Sequence, residues 1–504
     1  MKDKLDESLK NNRIQNAARM TVTGFLYVIV SIVCPFIIRT LMIYRMGDDY
    51  AGINTVLYSV ISMLNMTELG LGSVIVYFLY EPAARGDVER ISVYLGFLKR
   101  IYKYIAIIVG GIGVAFMPFL KLIINDEIPV DANLYSSYLV FLMSSIVLYI
   151  GLPEVDLLFN AYQRGDIVNN IKIFSSIFTY IFQVISIVFL HSFICYYIAI
   201  FLQSVLVVVL RYREKKDKLS YRDTKGNISI EVKEDIKKRV FAMLGHQMDE
   251  KFLASIDNVI LSFFCGLSLV TLYGNYMYVV SALGMFFNVL FNSLTLTLGN
   301  AIVTESKGSN YKRFKTIFRF NILVVVWIFV CMSSMYDEFM NFWMGDRLFP
   351  FDTMVLFCVY FFVMQIRKTV ISFKNANGMW WEDRYKPYIS MIFNLILDII
   401  MVRYIGVNGA LLSSIVCVLL IEVPWEAKVL ISDYFGEDFI WYFCDVFIGL
   451  VVCLIGGFTG YKICGAIRTH VILIDMIIHF ILCTSVFLPM FGVLYKRFCK
   501  ISAQ

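Results

Sequence analysis

Five polar side chains recur at steps of three and four along one apolar stretch: Asn54, Tyr58, Ser62, Asn65 and Glu68. That spacing places them on one face of a helix. A face of this kind lines a water-filled cavity or joins helices through hydrogen bonds. A second apolar stretch carries two such rows. Gln247, Lys251, Ser255, Asn258 and Ser262 form one, and His246, Glu250 and Asp257 form its neighbour. Ionisable groups at bilayer depth cost several kcal/mol unless they face a polar interior, so they nominate sites of function. Asp257 falls about five turns into its segment, too deep to reach an interface by extension. It suits a proton or cation site, or a salt bridge in a gate. Lys251 and Glu250 fit equally an interfacial helix end. Arg39 follows Pro35 by one turn. A proline-bent helix leaves polar backbone there, and a guanidinium beside it suits phosphate. Extension to outer headgroups is the other reading of Arg39. Asp398, Arg403, Glu422, Glu426, Asp445, Asp475 and His479 also fall in apolar stretches, and nothing in the sequence ranks them.

The elements that carry these residues are long and apolar. Hydrophobic residues make up 59% of the 504 and charged ones 17%. Mean hydropathy is +0.71. A soluble domain would lie near 45–50% apolar and 25% charged. Spanning a bilayer takes about 20 apolar residues of helix. We read about fourteen spans: 21–45, 51–80, 102–124, 134–159, 170–190, 194–212, 241–264, 269–298, 317–341, 352–375, 388–404, 408–430, 440–463 and 470–494. The first is too long for a signal-peptide core and should remain as an uncleaved span. About 37 of the 45 Lys and Arg fall in the tails and every second gap. Both termini are therefore expected in the cytoplasm, and the net charge of +6 reflects basic loops rather than nucleic-acid binding.

A shift of about 219 residues lays the first six spans on the next six, matching Gly47 with Gly266, Val60 with Val279, Ser62 with Ser281, Leu64 with Leu283 and Met66 with Met285. The expected fold is all-α and integral to the membrane. Two six-helix lobes would be related by a pseudo-two-fold along the membrane normal, with two further helices at the C-terminus. The boundaries expected are 1–212 for the N-lobe, 213–240 for a mixed-charge cytoplasmic linker, 241–430 for the C-lobe, and 431–504 for the last two helices and tail. Polar side chains from both halves are expected to meet in one hydrated central chamber.

Four stretches carry a family resemblance: Gly47 to Gly52, running on to Glu68-Leu69-Gly70-Leu71-Gly72 and Tyr80-Glu81-Pro82; Asp257 to Leu261 with Tyr273-Gly274-Asn275-Tyr276; Gly299-Asn300 to Glu305-Ser306; and Ile405-Gly406-Val407-Asn408-Gly409-Ala410. With span number, order and short outer loops, they make the chain resemble polysaccharide (Wzx-type) flippases of the multidrug/oligosaccharidyl-lipid/polysaccharide exporter superfamily. The resemblance implies alternating-access export of undecaprenyl-diphosphate-linked oligosaccharide across the bacterial cytoplasmic membrane, for capsule, O-antigen or another surface glycan. It leaves coupling to H+ or Na+ open. The implied partners are the lipid-linked cargo, membrane lipids, and a polymerase with chain-length machinery.

Chemistry is compatible with that. Asn, Ser, Tyr and Glu suit sugars, Arg39 or Lys251 suits a diphosphate, and Asp257 suits coupling, with Glu250 and His246 beside it. The alternatives are a cation-coupled multidrug exporter of the same superfamily, or a membrane glycan polymerase, ligase or glycosyltransferase. Enzyme readings lack support. The chain has no Asp-x-Asp, no H-E-x-x-H, no large outer loop and no G-x-x-x-x-G-K-[ST] for ATP. Its 11 cysteines include no C-x-x-C pair and read as buried thiols. No cofactor or metal is expected.

Overall fold

A computed structural model describes residues 13–65, 71–124, 126–219, 228–467, 469 and 472–502. Every regular element among them is helical. The chain is a multi-pass membrane protein, with twelve described helices long and apolar enough to cross a bilayer. The sequence suggested about fourteen. The second and seventh expected spans are not among the twelve, and these are the two with polar stripes. The second lies on α2 (Asp48–Leu64) and α3 (Leu71–Arg85), and the seventh on α9 (Ile230–Cys265).

By contacts the chain divides into Met1–Thr271 and Leu272–Gln504. In the first unit α1 (Arg13–Arg45) runs unbroken through Pro35 and packs on α7 (Gly165–Val188). Next come α4 (Val88–Ile123), α5 (Leu134–Ile150), α6 (Pro153–Ala161) and α8 (Phe193–Lys218). α5 packs on α4 and α8, and α9 packs on α2 and α3. The contact boundary thus falls after α9, whereas the sequence suggested that the second lobe begins at 241. Asn258, on the polar face of α9, bonds Ser59 of α2.

The second unit contains α10 beyond its first turn (α10 spans Leu267–Thr304), α11 (Lys307–Met344), α12 (Phe351–Ile366), α13 (Lys368–Asn377), α14 (Lys386–Ile405), α15 (Val407–Phe435), α16 (Ile440–Ala466) and α17 (Ile472–Ser502). α11 packs on α12, α16 and α17, and α14 packs on α15.

The repeat seen in sequence has backbone counterparts. Gly47 ends the α1–α2 turn at φ 110°, ψ 171°, and Gly266 ends the α9–α10 turn at φ 86°, ψ 170°. Only glycine adopts such angles without strain. The break between α5 and α6 recurs between α12 and α13. Left-handed Gln163 and His191 correspond in order to Gly378 and Gly406.

α14 and α15 cross at Gly409, where an added Cβ would overlap the Met401 carbonyl and Val402 N. Backbone cannot yield as a side chain can. Gly409→Ala should therefore lower thermal stability, by about 1–3 kcal/mol on the usual scale of overpacking, as measured by unfolding in detergent; an unchanged midpoint would remove this crossing as a constraint.

Candidate functional site

The polar stripe of α2 divides its work. Tyr197 Oη on α8 donates to Asn54 Oδ1 at 2.8 Å. Tyr149 Oη on α5 donates to Asn65 Oδ1 at 2.8 Å, and Asn65 Nδ2 reaches Ser145 Oγ at 3.4 Å. These two asparagines join helices. Tyr58 is 42% exposed, its ring 4.6 Å from that of Phe141, and Ser62 is half-buried. Tyr58 is thus the exposed residue of the stripe, and Ser62 is half-buried like Asn54 and Asn65. Glu68 lies outside the described residues.

On α9, Asp257 is 2% exposed and Ser255 is buried with it. Asn258 Nδ2 donates to Ser59 Oγ of α2 at 3.0 Å, joining the two polar helices directly. His246 and Gln247 are half-buried, and Lys251 is exposed. The sequence placed Lys251 in one row with Ser255 and Asn258; the structure separates it from the buried end of that row. The side chain of Glu250 lies outside the described residues.

Arg39 is neither extended toward headgroups nor standing open. Its Nη1 donates to Thr55 Oγ1 at 3.2 Å and its Nη2 to the Thr271 carbonyl at 3.0 Å. Thr271 Oγ1 in turn donates to the Asp48 carbonyl at 2.7 Å. Beside this junction a Cβ on Gly52 would come within 2.6 Å of the Leu267 carbonyl, so glycine permits the close approach. Leu267 N donates to Asp126 Oδ2 at 3.2 Å. The turn at Gly266 is therefore held to α1, α2 and the segment after α4. Burial, then the Asp126 and Asp48 carboxylates, push the Asp49 carboxyl above its ordinary value.

The second unit holds polar groups that the sequence could not rank. Lys386, Ser390, Asn394 and Asp398 lie on α14, all 2% exposed or less. Ser413 Oγ donates to Asp398 Oδ1, and Asn394 Nδ2 reaches Ser414 Oγ at 3.4 Å. Among the described residues no donor reaches the buried Asn394 Oδ1. Among the described residues no three His, Cys, Asp or Glu side chains converge as a metal site.

Toward the α14 N-terminus lies an ion cluster. Arg367 donates to Glu426 through Nε at 3.1 Å and Nη2 at 2.6 Å, and also pairs with Glu422. Lys386 Nζ lies 2.7 Å from Glu426 Oε1 and 3.5 Å from Glu422 Oε2. Lys374 pairs with Asp383, and Arg319 Nε with Asp445 Oδ2 at 3.1 Å. These eight side chains are all buried, four cationic and four anionic. A visible signal was available in the four-residue spacing from Lys386 to Asp398.

No family model matches the sequence, and no curated protein matches it. Solved structures do. One is the lipid II flippase MurJ in an inward closed conformation, with TM-score 0.67 and 13% identity over 94% of this chain and 99% of that chain. The fold is that of MurJ and the MATE transporters. An inward-facing multidrug resistance MATE family transporter of the MOP superfamily aligns at TM-score 0.62 and 12% identity, over 79% of this chain and 96% of that one. The Vibrio cholerae MATE transporter VcmN in its bent form aligns at 0.52 and 13%, over 89% and 99%. These are transport proteins by name.

Two outcomes follow for the Gly266 junction. Lysine cannot reproduce a fork spanning Thr55 and Thr271, so Arg39→Lys should lose nearly as much thermal stability as Arg39→Ala, about 1.5–3 kcal/mol for hydrogen bonds to a charged group. Full retention in Arg39→Lys would contradict the fork. A raised Asp49 means the folded chain binds the proton more readily than the unfolded one, so stability falls as pH rises through the raised value. Asp49→Asn should raise the unfolding midpoint at neutral pH, and the gain should vanish on acidification below the ordinary aspartate range. A gain unaffected by pH would place its cause elsewhere.

Proposed function

We propose that this chain is a flippase that moves an undecaprenyl-diphosphate-linked oligosaccharide across the bacterial cytoplasmic membrane, for capsule, O-antigen or a related surface glycan. The observation that carries this reading is the MurJ-like fold over nearly the whole of both chains, built on two polar helices, α2 and α9, that face one another. Such a cargo has an anionic diphosphate and sugars that need a wet route, while its tail can remain in hydrocarbon. Exposed Tyr58 and half-buried Ser62 supply polar surface for sugars, and Lys251, exposed on α9, suits the diphosphate. Arg39 acts by holding the Gly266 turn. The termini and basic loops lie in the cytoplasm, and a polysaccharide polymerase with chain-length machinery receives the product.

Coupling uses H+ or Na+. Asp257 is one candidate group. The buried Asn394–Asp398–Ser413 cluster is the other. The MATE neighbours support a second reading, a cation-coupled multidrug exporter.

The two readings separate in proteoliposomes. The purified chain should bring a fluorescent lipid-linked oligosaccharide to the opposite leaflet, and Asp257→Asn should abolish this at unchanged protein abundance. Export of an organic cation with no movement of the lipid-linked sugar would establish the exporter reading instead. Full flipping by Asp257→Asn would remove Asp257 from coupling.

A further inference from the structure

His479 is buried on α17 with an oxygen against each ring nitrogen. Its Nε2 lies 2.6 Å from the carbonyl of Ile467, the residue that ends α16. Its Nδ1 lies 2.6 Å from Oε2 of Glu338, late on α11. A carbonyl can only accept, so Nε2 carries a hydrogen. A neutral imidazole would then set the bare Nδ1 lone pair against the oxygen of an ionised carboxylate. That contact closes only when one further proton is present, on Nδ1 as imidazolium or on Glu338 as carboxylic acid. Both placements give the same two bonds, so the proton belongs to the pair.

The surroundings fit a proton and its release. His479 is 0% exposed, whereas the Glu338 side chain is 17% exposed and gives water a way to the pair. On α17 the neighbouring ionisable groups are Asp475, one turn before, and Cys483, one turn after. Asp475 Oδ1 accepts from Thr469 N at 2.6 Å and from Thr469 Oγ1 at 2.7 Å, which secures the turn before the helix. From α16 comes Cys464, its sulfur 3.7 Å from that of Cys483, while Lys462 extends over the Phe458 ring. On α11, Asp337 lies toward Tyr276 and Cys358. Arg468 and His470 fall outside the described residues. Farther along α17 the hold on α11 needs no proton: Trp327 Nε1 donates to Thr484 Oγ1 at 3.2 Å, and its ring lies 5.8 Å from that of Phe480. Losing the proton would therefore free one end of α17 and leave the rest seated.

We propose that Glu338 and His479 together bind one proton, and that this proton clasps the start of α17 to α11 and to the end of α16. The clasp holds at lower pH and opens as pH rises, because the deprotonated pair turns an attraction into a repulsion. This site stands apart from the cargo reading and from Asp257, since all its groups lie on the last helices of the second unit.

Hydrogen exchange of the purified full-length chain tests this, read on residues 472–482 and corrected for the intrinsic pH dependence of exchange. In the wild type that segment should exchange about ten-fold faster at about pH 8.5 than at about pH 6, across the range in which histidine changes charge. Glu338→Gln supplies a permanent N–H to Nδ1, so its segment should stay slow at both pH values. His479→Phe loses both bonds and should exchange fast at both; if it fails to accumulate, Glu338→Gln decides alone. Asp475→Asn should keep the pH dependence. A wild type with equal rates, or a Glu338→Gln chain that keeps the pH dependence or is fast throughout, would overturn the clasp. Loss of the pH dependence in Asp475→Asn would place the proton there instead and overturn it equally.

Discussion

Hydrocarbon offers no hydrogen bonds and little dielectric screening, so each polar group inside this chain must be answered by another part of it. Breaking a buried ion pair by removing one partner typically costs about 3–5 kcal/mol. The second unit meets that constraint by charge balance. Arg319, Arg367, Lys374 and Lys386 are matched by Asp383, Glu422, Glu426 and Asp445, all buried. These pairs draw on α11, α13, α14, α15 and α16, with Arg367 at the α12–α13 break and Asp383 in the turn before α14. The first unit meets the same constraint with neutral groups, tyrosine hydroxyls on Asn54 and Asn65 and an asparagine on Ser59, and with two isolated ion pairs, Arg211–Asp156 and Arg164–Asp166.

The two solutions have different mechanical consequences. An ion cluster shared among several helices resists sliding, because each displacement would separate more than one pair. Single hydrogen bonds and a glycine contact, as at Gly52 and the Gly266 turn, are broken more cheaply. Arg39 belongs to the weaker contact, and Glu422 to the ion cluster.

Much of this could be read from the sequence, because span length and loop charge depend only on local composition. The polar stripe of α2 and the buried Asp257 were visible as periodicity. So was the correspondence of Gly47 with Gly266, which the backbone angles reproduce. What periodicity does not contain is partnership. Asn54 and Asn65 have the same spacing whether they face water or the hydroxyls of Tyr197 and Tyr149. Lys251 shares a helical row with Ser255, yet the packing of α9 against α2 buries only the latter. Glu422 was visible only as an unranked carboxylate, because its partners Arg367, Lys386 and Ser390 lie 32 or more residues away in the chain. Arg367 and Glu426 are 59 residues apart in the chain, and no local rule joins them.

The account depends on the exposed part of the α2 stripe being wet rather than lipid-facing. Tyr58→Cys, in a chain stripped of its native cysteines and embedded in membrane vesicles, tests this directly with a charged, water-soluble thiol reagent. The account predicts rapid modification at position 58 and protection by lipid-linked oligosaccharide. Reaction only with an apolar, membrane-soluble reagent would contradict it, for then the stripe would face the bilayer and could not carry sugars.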